Sequence, residues 1–184
     1  MDNFNVCIRA TLEIERGFVN DPNDAGGATN YGLSFRFLKK LGDADKNGFV
    51  DGDIDQDGDV DIEDVKALTL EDVDRILKTY FWDELPMAVF ENRIKIQWKL
   101  FDIAVHCSPL QSIRILQKAV KQSPDGLVGI KTLTAANGME EDTLLLKISF
   151  EQLKYYNYCV INRPQNLKFL KNWTWRADKQ LETL

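Results

Sequence analysis

Apolar residues along this chain recur at helical spacing, and nowhere do apolar and polar residues alternate long enough to encode a confident sheet. Residues 3–19 read as a first helix, and Pro22 with Gly26-Gly27 breaks the stretch after it. Thr69-Leu-Glu-Asp72 is a capping-box variant that opens a helix running to Trp82. Further helices are expected at about 91–106, 109–121, 140–162 and 164–181. Pro109 and Pro164 fall in first turns, where a missing N–H costs nothing. GATNYGLS has the composition of a short hairpin. The expected fold class is mainly α, with the part after about residue 88 able to form its own lobe.

The chain of 184 residues can bury one sizeable core, or one core with an appended lobe. No apolar run is long enough to cross a membrane. The N-terminus lacks the basic and apolar regions of a secretory signal. The net charge of −6 argues against a nucleic-acid groove, which needs a basic footprint. That charge is local. Residues 43–64 hold ten acids against Lys46 alone, leaving the rest at +3, a balance that suits a polyanionic substrate. Cys7, Cys107 and Cys159 form no CxxC pair and read as reduced thiols. One histidine, His106, builds no zinc site with them.

Glu13 and Glu15 stand two positions apart and cannot share a helix face. Glu13 faces Arg9 and Arg16, as a surface ion-pair residue would. Glu15 falls on a stripe with Ile8, Thr11, Leu12, Phe18 and Val19. Partial desolvation there favours a neutral carboxyl and so a proton donor. A carboxylate that only ties down the next loop fits the periodicity equally well. That loop gathers Asn20, Asp21, Asn23, Asp24, Thr29, Asn30 and Tyr31 beside two glycines that allow close backbone approach. Glycoside hydrolysis needs such a pairing of a protonated carboxyl with a polar partner across the scissile bond. Asx turns around Pro22 and Gly26 are the structural alternative for Asp21 and Asp24.

ERGFVNDPNDAGGATNYGLS resembles the opening motif of the family 108 glycoside hydrolases, bacterial and phage lysozymes. Arg16 and Phe18 replace that motif's glycine and tyrosine. The resemblance implies a lysozyme-like helical domain with Glu15 as the catalytic glutamate. The order Glu15, Asp24, Thr29 is also similar to the Glu-Asp-Thr triad of phage T4-type lysozymes, with one residue more between Asp and Thr. It implies that Asp24 and Thr29 position water or stabilise an oxocarbenium-like centre. Asn30 and Tyr31, from the polar loop, are the candidate substrate contacts beside them.

LFDIAVHCSPLQSIRILQKAVKQSPDGLVGIKTLTAAN and YYNYCVINRPQNLKFLKNWTWRADK resemble the peptidoglycan-binding region that comes next in this family. His106 stands where relatives often carry Asn. The implied division is a catalytic region, 1–88, with an insertion at 43–64, and a helical peptidoglycan-binding region, 89–184. Tyr155, Tyr156, Tyr158, Trp173 and Trp175 can stack on sugar faces or pack into a core, and their spacing favours packing for several. The expected partner is bacterial peptidoglycan, and the expected state a monomer. Made in the cytoplasm without a signal peptide, such a chain would reach the wall through a holin or another release route.

The insertion has its own chemistry. DIDQDGDVDIED, residues 53–64, puts Asp53, Asp55, Asp57, Asp61 and Asp64 at positions 1, 3, 5, 9 and 12 of a calcium loop, with Gly58 at position 6. Asp59 at position 7 offers its carbonyl, and Asp64 in place of glutamate resembles dockerin-type loops. A preceding loop opens with Asp43, Asp45, Asn47 and Gly48 but has Ile54 at position 12, so a second ion would need Asp53 or Asp55. The expected cofactor is one or two structural Ca2+ ions. A dockerin-like interaction module is the competing reading, although its two loops would not overlap. A secretion-accessory protein that loosens the wall shares the hydrolytic chemistry.

Overall fold

The computed structural model describes residues 2–14, 17–20, 27–44 and 46–179. The chain divides into two units, Met1–Asp83 and Glu84–Leu184.

In the first unit, α1 spans Asn3–Leu12, with the Asp2 carboxylate accepting the Phe4 N–H. Its buried residues, Phe4, Cys7, Ile8 and Thr11, repeat at three and four positions, which turns one stripe inward. The helix closes at Leu12, shorter than the expected 3–19. The cause is pairing further on: Val19 and Thr29 exchange both backbone hydrogen bonds at 2.8 Å, an extended arrangement no helix can include. Phe18 and Val19 are exposed rather than part of an inward stripe.

The expected hairpin forms from β1, Thr29–Asn30, and β2, Leu33–Ser34, with Asn30 opposite Leu33. Tyr31 and Gly32 connect them at φ +49° and +82°. Two left-handed residues in a two-residue turn match the right-handed twist of the strands. Ser34 then caps α2, Phe35–Leu38. Beyond the acidic segment come α3, Ile62–Ala67, and α4, Leu70–Leu77, each opened by a reciprocal capping box: Asp61 with Asp64, and Thr69 with Asp72. A π-helical turn, Lys78–Trp82, extends α4 to the expected end, where Trp82 meets Phe4 edge-on at 5.4 Å. Gly52 locks the acidic segment onto α2, since a Cβ there would lie 2.3 Å from the Leu38 carbonyl oxygen.

The second unit is helical among its described residues: α5, Ile94–His106; α6, Pro109–Ala119; α7, Ile130–Asn137; α8, Glu141–Asn162; and α9, Leu170–Asp178. Pro109 occupies the first turn of α6, and Pro164 opens a 3₁₀ turn, Pro164–Phe169, before α9. α5 is buried along most of its length and includes Lys99 and Asp102, both fully covered. Asp102 accepts two hydrogen bonds from Arg176, at 2.9 and 3.0 Å. The Lys99 ammonium donates to the carbonyls of Arg176, Ala177 and Lys179 and so closes the C-terminal end of α9. Burial brings the Lys99 amine down to about 8. The fold is mainly α, as expected.

Candidate active site and acidic loop

Glu15, Asp21 and Asp24 lie outside the described residues, and the residues on either side define the frame of the site. The Val19–Thr29 bridge fixes both ends of the segment between, and the Thr29 hydroxyl donates to the Gly27 carbonyl at 3.4 Å. Asn30 is buried, and its amide donates to the Val65 carbonyl at 3.0 Å, tying the hairpin to α3. That bond makes Asn30 an anchor of the loop, where contact with substrate was the expectation. Tyr31 borders a cavity of about 310 Å³ together with Arg9, Leu12, Glu13, Gly17 and Leu70. Glu13 is exposed at the C-cap of α1. Arg9, its expected partner, pairs instead with Asp74.

The two acidic loops differ. In 53–64, Gly58 has φ +101° and donates its N–H to Asp53 at 3.1 Å, which curls the loop. Asp57 and Asp59 donate their amides to Asp55 and Asp57. Asp64, almost fully buried, accepts from Ile54 and Asp61, each at 2.6 Å. Carboxylate oxygens of Asp53, Asp55 and Asp57 fall within 4.8 Å of one another, as do those of Asp59, Asp61 and Asp64. This crowding raises the Asp59 carboxyl, chiefly through Asp57. Asp53 Oδ1 is buried without a hydrogen-bond partner. A buried orphan oxygen in a cluster with the carboxylates of Asp55 and Asp57 is what a hard cation satisfies, so the residues fit calcium.

In the first loop Asp43 accepts from Asn47 and Gly48, and Asn47 from Phe49, while Asp45 lies outside the described residues. Asp51, at its ninth position, is already engaged by Arg75 at 2.7 Å, Tyr80 at 2.5 Å and the Ala44 N–H at 3.0 Å. Burial raises its carboxyl, but these bonds outweigh burial and hold it below the usual carboxylate range. Arg75 and Tyr80 are site-shaping residues that the loop's own pattern could not reveal.

The aromatic residues separate into two environments. Tyr156 is buried, with its hydroxyl against His106 Nδ1 and the Gln152 amide, each at 2.8 Å. Trp173 packs on Tyr156 at 5.3 Å and stacks on Phe169 at 5.8 Å. Tyr156 is therefore core packing and presents no open face for a sugar, whereas Trp173 is half-buried and Phe169 is exposed. Tyr155 instead borders a surface groove with Tyr158, which is exposed.

The family model described as Glycosyl hydrolase 108 matches residues 8–107, more than half of the chain, and the chain belongs to that family. A second model, described as Predicted Peptidoglycan domain, matches residues 111–178. Among solved structures, SagA of Brucella abortus is similar, with a TM-score of 0.70 and 27% identity over 95% of this chain and 88% of that one. No curated protein matches. The chain is a glycoside hydrolase of the lysozyme type, directed at peptidoglycan.

Proposed function

We propose that the chain is an N-acetylmuramidase that cleaves the β-1,4 bond between N-acetylmuramic acid and N-acetylglucosamine. Glu15 is the general acid and gives its proton to the leaving glycosidic oxygen. Asp24 and Thr29 position the attacking water or stabilise the positive charge that develops on the sugar ring. The motif at 15–34 supports this reading, and the observation that carries it is the Val19–Thr29 bridge. It clamps the ends of the segment bearing Asp24 just beyond α1. Residues 1–88 are assigned the catalysis and 89–184 the retention on the wall.

The loop at 53–64 supplies a structural Ca2+ site in this reading. Asp53, Asp55, Asp57 and Asp61 give carboxylate oxygens, Asp59 its carbonyl, and Asp64 the closing ligand. The orphan Asp53 oxygen supports it. One ion is proposed, because Asp51 is spent on Arg75 and Tyr80 and Ile54 offers no oxygen at the last position of the earlier loop. Mass analysis of muropeptides released from purified peptidoglycan tests the cleavage. Fragments ending in a reducing muramic acid are expected. Fragments ending in reducing N-acetylglucosamine, or no fragments, overturn the assignment.

A further inference from the structure

Between α6, α8 and the turn after α6 opens a groove of about 730 Å³. α6 lines it with Arg114 and Lys118, the turn with Lys121, and α8 with Glu151, Lys154, Tyr155 and Tyr158. The spacings of three and four put each set on one helix face. Four cations thus meet one carboxylate, and that carboxylate is already taken: Glu151 accepts from the Lys154 ammonium at 2.8 Å. Arg114, Lys118 and Lys121 make no ion pair among the described residues. Arg114 Nε is buried with no hydrogen-bond partner. That nitrogen lies beside the turn at Gly126, so the groove is met by the rest of the half-buried Arg114 side chain.

The turn is held rigidly. Gln117 donates to Asp125 at 2.7 Å and to the Leu127 carbonyl at 3.0 Å, and accepts from Gly126 at 2.9 Å. Gly126 sits at φ +85°, a left-handed conformation that favours glycine. Asp125 is hydrogen-bonded within the turn by Leu127 and Gln117, which hold its carboxyl below the usual range, with the Arg114 charge adding to the effect. Lys121 sits at φ +58°, a left-handed position where glycine is the easier residue, so a cation is presented at some conformational cost. Residues 84–184 as a whole carry 14 Lys and Arg against 10 Asp and Glu.

We propose that this groove binds the anionic peptide stem of peptidoglycan. Stem carboxylates lie against Arg114, Lys118 and Lys121, and the rings of Tyr155 and Tyr158 cover the adjoining aliphatic or sugar part. The inference rests on the reading that this unit retains the enzyme on peptidoglycan, and it names the part of the polymer that is held. The glycan strand offers hydroxyls and acetamides, which do not call for a cluster of three cations. The stem offers carboxylates at peptide spacing, which do.

The test uses the full chain as the inactive Glu15→Gln protein. Calorimetry would compare a disaccharide-tetrapeptide, the neutral N-acetylglucosamine disaccharide without any peptide, and poly(glycerol phosphate). The disaccharide-tetrapeptide should bind about tenfold tighter or better than the peptide-free sugar. Arg114→Gln with Lys118→Gln should remove about tenfold of that affinity, the worth of a charge-assisted bond. Tyr158→Ala should weaken it too, and Lys131→Gln, outside the groove, should leave it unchanged. Equal affinity for both sugars, or tightest binding of the phosphate polymer, overturns the proposal. So does full retention of the double variant on insoluble peptidoglycan, while the retention reading survives. Failure of the unsubstituted groove to hold insoluble peptidoglycan overturns both.

Discussion

Burial keeps His106 neutral, with the Arg176 charge adding to the effect, and brings its pKa down to about 3. The unfolded imidazole protonates near 6.5, so the unfolded state takes up a proton that the native state refuses. Stability is therefore complete above pH 6.5 and falls as pH drops toward 3. At pH 5 the loss is about 2 kcal/mol. Urea unfolding at pH 7.5 and 5.0 should show that difference in the native chain and a smaller one in His106→Asn. Equal pH dependence in both proteins would refute the argument. The glutamates give a second contrast at this scale. Glu15→Gln should lower lysis of permeabilised cells by about 10² or more, since the transferable proton is gone. Glu13→Gln should lyse almost normally, with stability changed by less than about 1 kcal/mol. Lysis at the native rate by a folded Glu15→Gln protein, or its loss in Glu13→Gln alone, contradicts the assignment. Reading Glu13 as a surface residue needed only helix geometry. The actual partner of Arg9 was not legible, because Asp74, 65 positions away, is brought to Arg9 by packing.

Elements with strong local signals were legible. The hairpin announced itself through GATNYGLS, α4 through Thr69 and Asp72, and α6 through Pro109. α7 was missed: it has eight residues, and Gly129 caps it without a side chain. The helix stops short of Val19 because Val19 bridges to Thr29, ten positions further on, which periodicity does not register. The acidic loop shows the same division. Its aspartate spacing was plain, whereas the engagement of Asp51 by Arg75 and Tyr80 belongs to the folded unit. The loop should couple calcium to stability, because an ion bound only by the native state adds about 2.7 kcal/mol at a hundredfold excess over Kd. Chelator should lower the Tm, and Asp57→Ala should remove most of that response. An identical melting curve with and without chelator would end the calcium assignment. Asp51→Asn should destabilise the chain whether or not calcium is present, since it weakens a bond network internal to the fold.

Charge is distributed unevenly over the whole molecule. Residues 1–83 hold 9 Lys and Arg against 19 Asp and Glu, while residues 84–184 have the opposite sign. The −6 of the whole chain therefore conceals a basic half, and calcium would reduce the negative charge of the other. A polyanionic wall should attract one part and repel the other, so ionic strength acts on both terms. Attraction through unpaired surface cations is screened as the Debye length falls from about 10 Å at 0.1 M salt to about 3 Å at 1 M. Retention of the Glu15→Gln protein on insoluble peptidoglycan should accordingly weaken severalfold between those concentrations. Removing calcium at low salt should weaken it as well, because the bare loop restores repulsion. If Asp57→Ala, still folded, loses retention with rising salt but no longer responds to calcium, the two contributions are separate. Retention that is indifferent to salt would instead place the affinity in neutral sugar contacts and remove charge from the account.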